Sequence, residues 1–506
     1  MARLIILISI LFFSAQLRAQ FTYFNQITGE QGDLSAEITT NVEIINNRYI
    51  LLGAAVDDGT LFLYAREYNN IGEIVNSNII YPDSSEYVYI GRTKSFQWNP
   101  YTETFVFMQG VNLLGQGNLE GYLIEFDSNL DTTFTRRYNQ FTPYTYLFTF
   151  LIEEDGYVVV GETTDNPNSQ GTFIMKLDFE GYVLWSEIMQ PMVFQDIYRN
   201  WSIEKLENGY LIAGRGRTEE SNFETFGLLT TTNFQGETIN ELQVVDSTML
   251  KSNTMSSTQL ESGELLTTQV IGYELVEEFN NPNIFWTKLK IRMYDPDTGE
   301  FYNEVDFFDN YEYFQGGPNK LLATPDGGVI LLGGYFGWYF DKTAWMLKLD
   351  SNLNQEWYQE YSYETCNDCE NLLYDIELAP DGGYVAAGSF RNSAVDPRTS
   401  TWLLKVDACG DVEWQGCTPV GIEEKEPRVF SVYPNPSVGR FRVESDLNQS
   451  VASWAVYNLS GKKVAEGNTQ NNVTLEISLN LSSGLYALEL VQQNGDRENH
   501  KIQIVK

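Results

Sequence analysis

The chain has 506 residues, 42% of them hydrophobic, and at roughly 150 residues per domain this length favours two or three domains with buried cores. Lys and Arg number 32 against 69 Asp and Glu, and the net charge of −37 repels nucleic-acid phosphates and anionic membrane surfaces. We therefore expect no nucleic-acid partner. The single histidine, His500, lies in the tail, which excludes Ser-His-Asp triads, Cys-His dyads and His-ligated zinc from the rest of the chain.

Residues 1–19 have the pattern of a secretory signal peptide. Arg3 supplies a positive charge, Leu4–Phe13 form the apolar run, and Ala19 precedes the expected cleavage before Gln20. This run is shorter than the roughly 20 residues that cross a bilayer. We expect export through the periplasm and no transmembrane segment in the mature chain.

Residues 20–417 contain an internal repeat, and each copy is a turn, a short β-branched and aromatic run, and usually a closing Gly. Two strands follow each copy, the last often carrying Trp, with an Asp-x-x-Gly turn between them at Asp178–Gly181 and Asp407–Gly410. The pattern predicts seven copies of near 56 residues, whose closing positions are 53, 110, 161, 214, 268, 333 and 388.

These repeats predict an all-β fold with a seven-bladed β-propeller. The strands are apolar at consecutive positions, as in Tyr157–Val160, which fits blades that neighbours cover on both faces. Two stacked β-sandwiches and a β-solenoid are the alternatives. Because Phe21–Ile27 precedes the first copy and the last copy stops after Trp414, we expect Phe21–Ile27 to complete the seventh blade.

The four cysteines are even in number, as expected for structural disulfides in an exported protein. We predict the pairs Cys366–Cys369 and Cys409–Cys417, because the members of each pair are close in sequence. A Cys-x-x-Cys redox centre and a zinc site are the alternatives. Asp368 and Glu370 argue against redox chemistry, since nearby negative charge raises a thiol pKa.

Three further features are candidate sites. Asp295–Glu300 has the acidic spacing of a calcium loop, but its place in the repeat favours a hairpin turn, so calcium stays open and no other cofactor is expected. A lysine recurs at one repeat position, where we expect solvated strand residues rather than ligands: Lys176, Lys348 and Lys405. The most aromatic loop is the candidate for stacking on a sugar or contacting a protein, through Tyr335, Phe336, Trp338 and Tyr339.

Residues 418–427 read as a polar linker, and residues 428–506 contain more cleanly alternating strands that predict a small antiparallel β-sandwich. Its motifs are Val432–Pro436, Gly439 before Phe441, Val456–Val464, Leu481–Tyr486 and Lys501–Lys506.

In order and spacing these motifs resemble the type A C-terminal sorting domain of the Bacteroidetes type IX secretion system. The resemblance implies passage through the inner membrane, recognition of the folded tail by the type IX machinery, and release or attachment at the cell surface. The matching motif residues are Tyr433, Pro434, Asn435, Pro436, Gly461, Gly484, Tyr486, Lys501 and Lys506. An adhesive β-sandwich is the alternative.

The acidic charge lies in the repeats. Residues 20–427 carry 22 basic and 62 acidic residues, a net −40, whereas residues 428–506 carry 8 and 7. A near-neutral tail on an acidic body is compatible with a targeting signal that is recognised separately from the repeats.

Three functions stay open, because propellers host unrelated activities. We favour a non-catalytic binding module with its ligand, a glycan or a protein, at one mouth of the ring or in the axial channel. The alternatives are a carbohydrate-active enzyme that uses paired carboxylates and a protein-binding scaffold or adhesin.

Overall fold

The computed structural model describes residues 22–504 except for short segments, and every regular element in that part of the chain is a β-strand. The chain divides into two compact units, Met1–Val420 and Gly421–Lys506. The undescribed segments between residues 22 and 504 are 29–35, 58–59, 81–85, 89–93, 114–118, 140, 142–144, 167–168, 190–195, 218–224, 246–250, 276–284, 312–317, 335–342, 367, 414–429, 434–436, 438, 446–449, 459–461, 473, 480, 482–483 and 493–496.

The described part of the first unit forms seven antiparallel sheets in chain order, so the seven-bladed propeller is confirmed. The first blade contains β2 (Ala36–Ile45), β3 (Arg48–Asp57), β4 (Thr60–Tyr68) and β5 (Ile74–Ile80). The second contains β6 (Glu86–Val88), β7 (Phe96–Asn99), β8 (Thr104–Leu113), β9 (Leu119–Phe126) and β10 (Thr132–Tyr138). The third contains β11 (Thr145–Glu153), β12 (Gly156–Asn166), β13 (Ser169–Leu177) and β14 (Val183–Met189).

The fourth blade contains β15 (Asp196–Leu206), β16 (Gly209–Arg217), β17 (Thr225–Thr232) and β18 (Thr238–Val244). The fifth contains β19 (Lys251–Gln259), β20 (Leu265–Leu275), β21 (Phe285–Asp295) and β22 (Glu300–Tyr311). The sixth contains β23 (Pro318–Ala323), β24 (Val329–Gly334), β25 (Ala344–Leu349) and β26 (Gln355–Tyr361). The seventh contains β27 (Cys369–Leu378), β28 (Tyr384–Asn392), β29 (Asp396–Val406) and, from the start of the chain, β1 (Phe24–Thr28).

The run Tyr157–Val160 shows why these strands are apolar at consecutive positions. Tyr157 and Val159 pack toward the second blade, whereas Val158 and Val160 pack toward the fourth. All four side chains are buried because successive residues of a strand point to opposite faces. Each fully buried side chain of this kind stabilises the fold by about 1.5–3 kcal/mol.

Strand β1 closes the ring as the sequence predicts. It pairs antiparallel with β29, from Phe24 opposite Lys405 to Thr28 opposite Thr401. The indole Nε1 of Trp402 donates a hydrogen bond of 2.7 Å to Oδ1 of Asn25. The outer edge of the seventh blade is thus covered by a strand that lies almost 400 residues earlier in the chain.

The closing glycine of the repeat lies beneath a large side chain of the next strand. A Cβ atom at Gly333 would be 2.2 Å from the ring of Trp345, and one at Gly161 would be 2.3 Å from the ring of Phe173. Only a residue without a side chain leaves room for these rings, so the repeated glycine is a packing requirement.

The Asp-x-x-Gly turns form as predicted. The backbone N–H of Gly181 donates to the carbonyl of Asp178, and that of Gly410 donates to the carbonyl of Asp407. Both glycines have positive φ, 75° and 81°, a region that disfavours residues with a side chain.

The expectation that the recurring lysines are solvated is wrong. Lys176, Lys348 and Lys405 are 5%, 2% and 0% exposed. Each forms an ion pair with the acid of the turn that opens its own repeat: Lys176 with Asp155 at 2.6 Å, Lys348 with Asp326 at 2.9 Å and Lys405 with Asp381 at 2.7 Å. Each lysine therefore links two strands or turns of its own blade through an ion pair. The lysine can be buried because its carboxylate partner lies within ion-pair distance.

The second unit has two sheets in its described part. One pairs β30 (Phe430–Tyr433), β31 (Arg440–Ser445) and β34 (Thr474–Ser478), and the other pairs β33 (Lys463–Asn472), β32 (Val451–Asn458), β35 (Gly484–Gln492) and β36 (Arg497–Ile504). Phe441, Val456 and Leu488 lie in the core that the two sheets share, as expected for a β-sandwich. Gly439 has a φ of 91°, and a Cβ there would lie 2.4 Å from the carbonyl oxygen of Leu479.

Candidate ligand site in the axial channel

The first strand of a blade faces the axis of the propeller, and the first strands of the third to seventh blades, together with Lys94 of the second, line one cavity of about 390 Å³. The lining is mixed, with carboxyl, ammonium, hydroxyl and aliphatic groups. It includes Lys94, Thr149, Leu151, Ser202, Glu204, Ser256, Thr258, Gln259, Lys320, Leu322 and Glu377. A cavity with a few converging polar groups is the usual form of a small-ligand site.

Three glutamates occupy equivalent positions on the first strands of different blades. Glu43 on β2 lies opposite Ile50, Glu204 on β15 opposite Leu211, and Glu377 on β27 opposite Val385. Each partner is three residues before the closing glycine of its copy. Of the three, Glu204 of the fourth blade and Glu377 of the seventh line the cavity.

A register shift immediately precedes a polar residue in the first strand of two blades beside the cavity. The shift precedes Lys320 in the sixth blade and Asp375 in the seventh. Nζ of Lys320 lies 2.6 Å from Oδ1 of Asp375 and 3.3 Å from Oε1 of Glu377. Oδ2 of Asp375 also accepts a hydrogen bond of 3.0 Å from the backbone N–H of Val42. Asp375 thus joins the sixth, seventh and first blades beside the axis.

Protein surrounds these groups closely enough to change their acidity. Burial raises the pKa of Glu43 to about 8, and the carboxylate of Glu377 adds to the rise while Lys320 and Lys94 oppose it. Burial raises the pKa of Glu204 to about 7, against Lys94 and a hydrogen bond from the backbone of Gln259. Burial, with Asp375, also raises the pKa of Glu377, although Lys320 opposes the change. At neutral pH the channel therefore holds protonated as well as ionised carboxyl groups.

Lys320 stays charged. Burial disfavours its ammonium form, but Asp375 and Glu377 outweigh burial and raise the pKa of Lys320 above its ordinary value. No lysine or arginine of the described chain lies within ion-pair distance of Glu43 or Glu204. The negative charge that these two glutamates can carry is therefore not directly neutralised.

Hydroxyl groups and two leucines complete the wall. The hydroxyls of Ser202 and Ser257 lie 2.8 Å apart and link the fourth and fifth blades. Leu151 and Leu322 occupy the same strand position as the three glutamates, opposite Val158 and Ile330. The site can thus contact aliphatic and polar parts of one ligand.

None of these channel residues was singled out from the sequence. A signal exists, because the residue ten or eleven positions before the closing glycine is Glu43, Leu151, Glu204, Leu322 or Glu377 in five of the copies. This spacing indicates a channel residue only once the structure has shown that the residue ten or eleven positions before the closing glycine faces the axis.

The predicted disulfide between Cys366 and Cys369 is confirmed. Cys409 is also disulfide-bonded, but Cys417 lies outside the described residues, so the pair Cys409–Cys417 stays a prediction.

Most of the other predicted site residues lie outside the described part of the chain. These are the signal peptide, Trp414, the aromatic loop with Tyr335, Phe336, Trp338 and Tyr339, and the motif residues Pro434, Asn435, Pro436, Gly461 and Lys506. Of the rest, Tyr433 ends β30, Gly484 begins β35, Tyr486 is buried in the core of the second unit and Lys501 lies on β36.

The acidic segment Asp295–Glu300 forms the hairpin turn between β21 and β22. Oδ1 of Asp295 accepts hydrogen bonds from the backbone N–H groups of Asp297 and Thr298. Over the described residues, no cluster of three or more His, Cys, Asp or Glu side chains has an arrangement that could hold a metal ion.

Residues 431–505 match the family model of the secretion system C-terminal sorting domain. The tail is a type IX sorting domain. The protein is therefore secreted or held at the outer surface of the cell, and its tail interacts with the type IX machinery. In the described part of the chain, no helix has the length and apolar character needed to span a membrane.

No curated protein matches the chain. Among solved structures, the α-L-arabinofuranosidase of Fusarium graminearum is 6% identical at a TM-score of 0.37, covering 76% of this chain and 98% of the enzyme. The α-L-arabinanase of Penicillium chrysogenum is 9% identical at a TM-score of 0.35, covering 76% of this chain and 97% of the enzyme. A neuraminidase-like protein of A/little yellow-shouldered bat/Guatemala/060/2010 is 12% identical at a TM-score of 0.33, covering 63% of this chain and 92% of that protein.

Proposed function

We propose that this protein is an exported, non-catalytic binding module whose small polar ligand occupies the axial channel of the propeller. The observation that carries the proposal is the cavity of about 390 Å³, into which several blades contribute carboxyl, ammonium and hydroxyl groups. The sorting tail delivers this propeller to the outside of the cell, where such a ligand would be met.

The pairing of Lys320 favours binding over hydrolysis. Hydrolysis with two carboxyl groups needs one ionised carboxylate that is available to a sugar or a water molecule. Lys320 contacts both Asp375 and Glu377, so each of these two carboxylates already has an ammonium partner within the protein.

The test is a glycan array and a protein pull-down with residues 20–420, each run with the native chain and with Lys320→Met. Lys320→Met leaves Asp375 and Glu377 without their ammonium partner, so a channel ligand should lose at least about tenfold in affinity. Arg398→Met is the matched control, because Arg398 pairs with Asp396 on an exposed stretch of β29. Binding that is equal in all three proteins would place the ligand outside the channel, and capture of proteins alone would support a scaffold or adhesin.

A carbohydrate-active enzyme is the second candidate, and the raised pKa of Glu204 favours it. A carboxyl with a pKa of about 7 can donate a proton to a leaving group at neutral pH. The test is product formation from an oligosaccharide that binds in the channel. Product formation that is lost in Glu204→Gln would show that the protein is a carbohydrate-active enzyme and not a non-catalytic binding module.

A further inference from the structure

Strand β5 is the outer edge of the first blade, and apolar side chains are exposed along it. Its sequence, Ile74–Ile80, has no charged residue, whereas the outer strands β10, β14, β18, β22 and β26 each contain at least one. Ile74, Val75 and Ile79 are 43%, 54% and 40% exposed. Charged side chains are a usual protection of an edge strand against pairing with another chain. Strand β5 lacks this protection.

The strand is held against the second blade, and its outward backbone groups have no strand partner. Nδ2 of Asn76 donates a hydrogen bond of 2.7 Å to the carbonyl of Asn129. Nδ2 of Asn78 donates one of 2.6 Å to the carbonyl of Leu130. The backbone N–H of Ser77 donates to Oδ1 of Asn76 at 2.9 Å rather than to a carbonyl of β4. Because alternate residues of an edge strand direct their backbone groups to the same side, Ser77 and the residues two positions away from it face the open edge.

The sequence of β5 reads nearly the same in both directions from its central residue, Ser77. On either side lie, in order, an asparagine, a β-branched residue and an isoleucine: Asn76 and Asn78, Val75 and Ile79, Ile74 and Ile80. Antiparallel pairing of two copies about a two-fold axis at Ser77 therefore places each residue opposite one of the same kind. The outward backbone groups of the two Ser77 residues meet, and Val75 lies opposite Ile79 of the second copy as an apolar cross-strand pair.

We propose that the exported protein forms a two-fold dimer in which β5 pairs antiparallel with β5 of a second copy, centred on Ser77. Charge favours this occupant. Residues 20–427 carry a net charge of −40, so most of the surface repels another copy, whereas the uncharged β5 meets an equally uncharged strand. This inference is independent of the ligand proposed for the channel.

The size of the contact sets the expected strength of the dimer. A pair of seven-residue strands buries less than the roughly 1,200 Å² at which stable interfaces begin, so the dimer is weak, with a Kd on the order of 10 to 100 µM. Such an interface exchanges the solvated backbone groups of two edges for hydrogen bonds between strands, the mode by which an extended segment adds to a sheet.

The first experiment is sedimentation of the whole mature chain between about 1 and 200 µM, in about 0.15 M and about 0.5 M salt. We expect a monomer–dimer equilibrium that shifts toward the dimer at the higher salt concentration, because salt screens the repulsion between two acidic bodies. Ile79→Glu places a carboxylate opposite Val75 and should weaken the dimer at least about tenfold. Ile239→Glu is the matched control, since Ile239 is 61% exposed on the outer strand β18, and it should leave the equilibrium unchanged. The melting temperature of both variants checks that they fold.

The second experiment tests the register with a disulfide. Opposite residues of a hydrogen-bonded antiparallel pair have Cα atoms about 5.5 Å apart, which a disulfide can span. Ser77→Cys should therefore give a covalent dimer under mild oxidation, and Ile239→Cys should give none. A chain that stays monomeric at about 200 µM in both salt concentrations would overturn the inference. So would a dimer that Ile79→Glu leaves intact, or a Ser77→Cys variant that forms no more covalent dimer than Ile239→Cys does.

Discussion

At the scale of single residues, ion pairs and hydrogen bonds between buried side chains stabilise the repeat. Similarity between the copies of the repeat identifies only some of these pairs. Lys405 is fully buried, and both carboxylate oxygens of Asp381 accept hydrogen bonds from its Nζ, at 2.8 and 2.7 Å. Burial lowers the pKa of Lys405, and Asp381 opposes that effect. In the fifth blade the place of the closing glycine is taken by Gln269, one residue after the predicted position 268, and Arg292 donates a hydrogen bond of 3.3 Å to its side-chain oxygen. Polar residues thus replace a glycine where their own hydrogen bonds can be satisfied.

We predict that Lys405→Met lowers the free energy of unfolding by about 3–5 kcal/mol, because it leaves Asp381 as a largely buried carboxylate without its ion pair. Arg398→Met, on the same strand, should change it by less than about 1 kcal/mol, because the Arg398–Asp396 pair is exposed. Urea unfolding of both variants measures the difference. Equal losses of unfolding free energy would show that the buried Lys405–Asp381 pair stabilises the protein no more than the exposed Arg398–Asp396 pair does.

At the scale of elements, neighbouring blades are joined by hydrogen bonds from an outer strand to the next turn. The hydroxyl of Tyr138 donates to the carbonyl of Gly181 at 2.9 Å, and that of Tyr361 to the carbonyl of Gly410 at 2.7 Å. Gln26 of β1 makes the corresponding contact with Gly72 of the first blade. Strand β1 therefore completes the seventh blade and continues this pattern across the join.

Deletion of residues 22–28 should lower the melting temperature of the propeller by roughly 10 °C, because five backbone pairs with β29 and the burial of Phe24 are lost, and each kcal/mol moves the melting temperature of a large domain by about 2–4 °C. Scanning calorimetry measures the shift. A synthetic peptide of residues 21–30, added to the truncated chain, should restore part of it. An unchanged melt would contradict closure by β1.

At the scale of the whole molecule, charge divides the chain as its two compact units do. The repeats carry the acidic excess, whereas residues 428–506 have 8 basic and 7 acidic residues. The sorting function belongs to the near-neutral unit, which matches the family model from residue 431 to residue 505. Export and ligand binding can therefore be tested on separate parts of the chain.

Fusion of residues 418–506 to a passenger with a signal peptide should send the passenger to the outside of a host that has a type IX secretion system, because the tail is itself the address. Immunoblots of the periplasm and the medium measure the distribution. Gly439→Val is the matched control, since a side chain there meets the backbone of Leu479 and should prevent the tail from folding. A passenger retained in the periplasm with the native tail would contradict the assignment.

Local patterns in the sequence were sufficient for the strands, the seven copies, the closure by the first strand, the Cys366–Cys369 bond and the sorting tail. Most of these depend on residues close together in the chain or on a motif repeated at a fixed spacing, and the closure follows from a strand ahead of the first copy and a last copy that is cut short. The tertiary structure alone decided that Lys176, Lys348 and Lys405 are buried, because the folded blade brings each of them beside a carboxylate that lies 21 to 24 residues earlier in the chain. It also decided that Glu204 and Glu377, separated by 173 residues, line one cavity. Only closure of the ring brings positions from the fourth and seventh blades to a common axis.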